Sequence, residues 1–290
     1  MHNFLFSFHK YTKEVDEMAD KSEATSMFDF NAHRESAVAE YTKIRPNYVD
    51  FAQTMKEMIS VILRGAHIRC QSIEARAKEI DEFGKKAAKS LDSDPTKPKY
   101  SNPLSDITDM AGVRVITFLP RTVEEVCKLI EQNFEVKEKV DKAAKLVDEG
   151  KIGYQSIHYL VKMHHSRANL PEYKSFKDLI LEIQVRTILQ HAWAEMEHDI
   201  QYKSTVEIPT LIKRRFIALA GLLDIADREF QTMQEEYEHK KKQREIKIED
   251  FIAQLRDTGD KEYAKDALRD LSLWLESEKP SEVQNLEEKK

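Results

Sequence analysis

At 290 residues the chain is long enough for one large domain or two modest ones with a real core. Apolar residues make up 41% and charged residues 34%, with a formal net charge of -6, so bulk charge supplies no pull toward nucleic acid or membrane and any polyanion site must be a local patch. Two cysteines, Cys70 and Cys127, lie in no metal-ligand spacing, which argues against a disulfide framework or a zinc site, and no apolar stretch is long enough to span a bilayer. A cytoplasmic location and no membrane partner are the expectation.

Residues 1–30 lack sustained periodicity and read as an arm. From Ala32 the pattern is helical, and after Pro46, suited to a helix first turn, Tyr48, Phe51, Met55, Met58 and Ile62 recur at three and four, predicting an amphipathic helix pair. His67 to Ala75 predicts a strand, Lys78 to Leu91 a helix, and the Ser-, Asp- and Pro-rich stretch from Ser93 to Pro103 a loop. Gly112 to Phe118 is a β-rich run, Thr122 to Gln132 a helix and Phe134 to Val140 a further strand. Alternating strands and helices predict an α/β (α+β) fold with a mixed central sheet flanked by helices.

The next fifty residues are the most informative. Gly153 to Val161 alternates, so Tyr154, Ser156 and His158 share one strand face. Leu179 to Arg186 also alternates, with Glu182, Gln184 and Arg186 opposite an apolar face. Thr187 to Lys203 predicts a helix that presents His191, Glu195, His198 and Tyr202 at helical spacing. The polar connectors Lys142 to Gly150 and His164 to Lys174 flank the first of these strands.

Beyond Pro209, Ile212, Phe216, Leu219, Leu223, Ala226, Phe230, Met233 and Tyr237 form a heptad-like seam, suited to packing against the chain's own helices or to a homo-oligomer through this C-terminal helix. Lys240 to Arg244 reads as a solvated helix end, Phe251 to Leu275 as one or two short helices, and the segment after Glu276 as a charged tail. The resulting division is an arm over 1–30, a domain with flanking helices over 31–245 and a helical extension over 246–290.

Two carboxylates stand out amid cations. Asp109 precedes the Gly112 strand that carries Arg114, Arg76, Lys78, Lys85 and Lys86 cluster after the first strand, and Glu182 lies on a later one. Such a set suits a magnesium-bound polyphosphate, since Mg²⁺ takes few carboxylates and fills its shell with phosphate oxygens. No Walker-type glycine loop is present.

Asp109-Met110-Ala111-Gly112-Val113-Arg114, Gly153-Tyr154-Gln155-Ser156-Ile157-His158, Glu182-Ile183-Gln184-Val185-Arg186-Thr187 and Trp193 to Asp199 with Tyr202-Lys203 resemble, in order and rough spacing, the successive motifs of the RelA/SpoT synthetase domain, and small alarmone synthetases above all. The resemblance covers roughly Ile44 to Asp227. It implies a nucleotidyltransferase-like synthetase fold and transfer of the β,γ-diphosphate of ATP to the 3′-hydroxyl of GTP or GDP, giving (p)ppGpp. It also implies that Asp109 and Glu182 hold Mg²⁺, with Glu182 activating the hydroxyl. Arg76 and Arg114 would clasp adenine, and Lys78 with Lys86, or with Lys85 should the register slip by one, would neutralise the ATP phosphates. Tyr154 would stack on the acceptor guanine and His158 hold acceptor phosphates, with Lys151, Gln184, Arg186 and His191 completing the acceptor side. Two departures stand out: Lys151 is one residue closer to Gly153-Tyr154 than in many relatives, and His191 stands where some small synthetases carry Asn.

Other readings compete with this one. Relatives of toxin type transfer diphosphate to the tRNA 3′-end, and others make adenine alarmones. A regulatory RNA-binding module is a further possibility, although it has no need of Asp109 and Glu182. Glu195-x-x-His198 and Glu236-x-x-His239 repeat a unit of di-iron helical bundles.

Overall fold

The structure, a computed structural model, describes residues 28–141, 156–203, 209–258 and 261–277. These fall into two compact units, one containing the described residues up to Lys203 apart from Leu119–Arg121, the other the helices from Thr210 onward.

In the first unit α1 (Phe30–Gly65) starts where the Asp29 carboxylate accepts hydrogen bonds from the amides of Asn31 and Ala32, a side-chain N-cap. The expected helix pair is a single helix. Pro46 lies inside it and removes only the bond to the Thr42 carbonyl, while Ala37 and Tyr41 before it and Tyr48, Phe51, Ala52, Met55, Ile59 and Leu63 after it form one continuous buried stripe that outweighs the lost bond.

The chain then runs through β1 (Cys70–Ala77), α2 (Ile80–Ala87), β2 (Ser90–Leu91), β3 (Asp94–Pro98), α3 (Pro103–Asp106) and β4 (Ala111–Thr117). The helix predicted over Lys78 to Leu91 is therefore only eight residues long. The predicted loop after it contains β3, which pairs with β2 as a two-stranded ribbon whose prolines, Pro95 and Pro98, sit where no central ladder needs their missing N–H. Then follow α4 (Pro120–Asn133), β5 (Phe134–Asp141), β6 (Ile157–Met163), α5 (His165–Ala168), a 3₁₀ turn (Pro171–Phe176), β7 (Leu181–Thr187) and α6 (Ile188–Lys203).

The central sheet has the order β1-β4-β7-β6-β5, with β4 and β7 parallel and all other neighbours antiparallel. Its mixed character is the expected one. One face is apolar: Val113, Val115, Tyr159, Val161, Leu181, Ile183 and Val185 are buried in a core shared with α1 and with Val123, Val126, Cys127 and Ile130 of α4. The register lays the other face out in polar rows. Arg76, Gly112, Glu182 and Leu160 lie side by side, and Glu74, Arg114, Gln184 and His158 form the next row.

The second unit contains α7 (Thr210–Thr258) and α8 (Lys261–Ser277). The helix does not end at Lys240 to Arg244, because (i, i+4) partners such as Gln234–Glu238 and Lys241–Glu245 carry it on. Trp274 of α8 docks back on α7, with Lys247 Nζ 5.3 Å and the Arg244 guanidinium 5.8 Å from its ring. Within the predicted seam, Leu219, Phe230, Met233 and Tyr237 are exposed. No helix among the described residues is long and apolar enough to cross a membrane.

Candidate active site

Parallel pairing of Gly112 with Glu182 brings the entry of β4, which Asp109 precedes, and the start of β7 to the same end of the sheet. The two carboxylates feel each other: the Asp109 charge works to raise the pKa of Glu182. Asp109 accepts a hydrogen bond from Lys78 Nζ at 2.8 Å and pairs with Lys86 Nζ at 3.0 Å. Burial alone would push the Asp109 carboxyl up, but the two ammonium groups outweigh it and hold the carboxyl below its ordinary value. Lys78 reaches this position because its backbone N–H donates to the Met110 carbonyl at 2.8 Å, tying the exit of β1 to the entry of β4.

Glu182 is held by different groups. His158 Nδ1 lies 2.8 Å from one carboxylate oxygen, and Gln184 Nε2 donates to the other at 2.8 Å. Burial raises this carboxyl too, yet the His158 contact and the Gln184 hydrogen bond bring it below the ordinary value, so it is ionised at neutral pH. Arg186 donates to Gln184 Oε1, and burial together with the neighbouring Arg114 charge lowers its pKa to about 10.

On the same face Arg114 donates to Glu195 of α6 at 2.9 Å and lies 3.9 Å from Glu74. His191 Nδ1 is 3.8 Å from Glu195, and burial followed by the Arg186 charge lowers the pKa of the imidazole. Arg76 is exposed and runs beside Gly112, where a Cβ would meet Arg76 Cγ at 3.9 Å. Arg114 Nε, Arg186 Nε, Ser156 Oγ and His191 Nδ1 are buried with no hydrogen-bond partner among the described residues. Buried polar atoms are seldom left so, and four around one face mark a place for a polar ligand.

Of the predicted site residues, the structure thus brings together Asp109, Glu182, Lys78, Lys86, Arg76, Arg114, His158, Gln184, Arg186 and His191. Lys85, the alternative to Lys86, is not brought to Asp109: one position along α2 turns it away, and it pairs with Asp81 at 2.8 Å and Glu82 at 3.3 Å on its own helix. Lys151 and Tyr154 lie outside the described residues. Glu195, which the sequence places on a polar helix face, inside the Trp193 to Asp199 motif and in a Glu-x-x-His unit but not among the site residues, lies beside Arg114; its separation by four from His191 is the signal for that place. The di-iron reading finds no support, since among the described residues no group of three or more His, Cys, Asp and Glu is arranged to hold a metal, and Glu195 is engaged by Arg114.

Comparison with known proteins agrees with this geometry. Residues 75–207 match the profile of the region found in RelA / SpoT proteins. Two curated relatives from Bacillus subtilis (strain 168) are similar: GTP pyrophosphokinase YwaC, 32% identical over 104 residues (36% of this chain, 46% of the relative), and GTP pyrophosphokinase YjbM, 29% identical over 122 residues (40% and 54%). The chain thus spans about half the length of the curated relatives it matches. Among solved structures, small alarmone synthetase 1 from Bacillus subtilis superposes with a TM-score of 0.56 at 22% identity, covering 69% of this chain and 98% of that one. The same synthetase bound to its product pppGpp gives a TM-score of 0.56 at 20% identity, covering 68% and 98%. These likenesses establish the synthetase-type fold.

Proposed function

We propose that this chain, whose residues 75–207 are a region of the RelA/SpoT family, is a pyrophosphokinase that moves the β,γ-diphosphate of ATP to the 3′-hydroxyl of GTP or GDP. The observation that carries the reading is the pair Asp109 and Glu182 at one end of the sheet, each part-buried yet ionised, amid Lys78, Lys86, Arg76, Arg114 and Arg186.

In the reaction the acceptor 3′-oxygen forms a bond to the β-phosphorus, the bond from that phosphorus to the α,β-bridging oxygen breaks, and AMP leaves with the electron pair. The hydroxyl proton passes to Glu182. His158 and Gln184 fix the carboxylate so that it is oriented before the acceptor arrives, which favours proton transfer in one geometry. Lys78 and Lys86 lie where negative charge on the transferring group is met without reorganisation. Arg114, gripped at its edge by Glu195, would clasp the adenine with Arg76 on the same polar sheet face. The donor set of Asp109 and Glu182 is oxygen-only and small, which fits Mg²⁺; the ion would hold the donor phosphates and neutralise charge between them. On the acceptor side Gln184, Arg186 and His191 stand on the same face as His158, and Tyr154 and Lys151 belong there by the resemblance. The exposed residues Leu219, Phe230, Met233 and Tyr237 on α7 favour self-association through that helix.

The test is to incubate the protein with labelled ATP and, separately, GTP, GDP, no added acceptor, or tRNA, and to identify the labelled product. Label on guanosine 3′-diphosphate products supports the reading. Label on tRNA or on an adenine nucleotide moves the acceptor to another class, and no transfer at all sinks it.

A further inference from the structure

The two lysines that meet at Asp109 come from different elements, Lys78 from the exit of β1 and Lys86 from α2. What sets their spacing lies outside the matched region, in the first half of α1. There the Tyr41 hydroxyl donates to the Lys78 carbonyl at 2.8 Å, and Arg45 Nε donates to the same carbonyl at 3.0 Å. Arg45 also donates to Glu79 Oε1 at 2.7 Å, so it grips two consecutive residues of the turn between β1 and α2.

Tyr41 also touches α2, the helix that carries Lys86. Its ring is wholly buried and stacks on Phe83 of α2 with centroids 4.2 Å apart, one turn from Lys86. Burial pushes its phenol up to about 12, so at neutral pH it remains a donor to the carbonyl. The first turns of α1 add two further contacts. His33 Nε2 lies 2.9 Å from the Tyr100 carbonyl, and the Tyr100 ring lies 5.8 Å from Lys86 Nζ. Arg34 meets Asp81 at 3.3 Å on α2. A single carbonyl taking two side-chain donors is a costly arrangement for a mere turn, because both donors give up water to reach it.

We infer that Tyr41 and Arg45 are positioning residues for diphosphate transfer, which set the Lys78 backbone so that its ammonium group joins that of Lys86 on one carboxylate. The inference rests on the reading of the Asp109 end as the ATP site. It makes the first half of α1 part of the apparatus that positions the site, acting through the Lys78 carbonyl.

A double-mutant cycle tests it, with binding of α,β-methylene-ATP measured by calorimetry in the presence of Mg²⁺, so that no turnover is needed. Tyr41→Phe keeps the ring stack and loses one donor; Arg45→Lys keeps the charge and loses the two-residue grip. Each is expected to weaken the analogue about three- to tenfold, and each is expected to add nothing in a Lys78→Ala background. A general stability role would not disappear with Lys78, so an equal loss in both backgrounds overturns the inference, as does unaltered affinity in both single variants. Wild-type protein that binds no analogue overturns the ATP-site reading, and the inference with it.

Discussion

Two part-buried carboxylates at one end of the same sheet reach the same electrostatic outcome by opposite routes. Asp109 is compensated by two ammonium groups brought from other elements, and its cradle exists only because α1, α2 and the entry of β4 are packed together. Glu182 is compensated by a histidine on the adjacent strand and an amide two residues along its own, so strand register alone assembles it. The Asp109 side of the site, the donor side under the proposed function, therefore depends on helix packing, and the Glu182 side, the proposed acceptor side, on the ladder between β6 and β7. Substitutions that loosen helices and substitutions that disturb the polar strand face are expected to separate along that line.

The largest effects fall on the carboxylates themselves. Asp109→Ala and Glu182→Ala are each expected to reduce diphosphate transfer by about a thousandfold or more, with circular dichroism unchanged because neither side chain supports the apolar core. Near wild-type turnover in either variant would remove that residue from the reacting centre. Next come the lysines. Lys78→Ala and Lys86→Ala each take away a charge-assisted contact and are expected to raise the KM for ATP by about ten- to a hundredfold. Lys85→Ala, by contrast, removes surface pairs with Asp81 and Glu82 and is expected to stay within about twofold. Equal losses for Lys85 and Lys86 would mean that α2 is rotated from the orientation described.

Gly84 tests the packing on which the donor side depends. A Cβ there would lie 2.8 Å from Val38 Cγ2 and 3.0 Å from Arg34 Nε, so α1 and α2 would have to separate. In an open helix Gly→Ala stabilises by about 1 kcal/mol, whereas here the expected change is destabilisation by about 1–3 kcal/mol. ATP affinity should fall with it and acceptor affinity should not. Chemical denaturation and separate titrations of the two nucleotides check both halves; a stabilised Gly84→Ala would show that the two helices tolerate a wider gap.

The same division explains what the sequence made legible. Alternation in β7 placed Glu182, Gln184 and Arg186 on one face, because a strand's period ties neighbours in sequence to neighbours in space. The cradle around Asp109 was harder: Lys85 and Lys86 differ by one position, and only the rotation of α2 fixed by Phe83 and Gly84 against α1 decides between them. Pro46 reads as a boundary in the sequence because the local cost of proline is visible there, while the buried stripe that spans it becomes decisive only after packing. Tyr41 and Arg45 carried no local sign at all, since what they hold is a backbone carbonyl more than thirty positions away.

The smallest effect is the one that compares the two carboxylates most directly. Both have folded-state pKa values below those they would have in the unfolded chain, so the folded protein binds these protons less readily. Their contribution to stability is accordingly complete above the unfolded values, which lie near about 4, and is lost as the pH falls through the folded values. Asp109→Asn and Glu182→Gln each delete one of these titrations. Measured by urea unfolding at pH 5 and at pH 3, each variant should lose less stability between the two than the wild type does. For Asp109, Lys78→Ala should have a similar effect, because removing the cation brings the folded pKa back toward the unfolded one. For Glu182 the corresponding partners are His158 and Gln184, and Gln184→Ala should flatten the curve less than Lys78→Ala, since it removes a neutral hydrogen bond rather than a charge. Curves that all fall in parallel with the wild type would mean that neither carboxylate is held by the partners described.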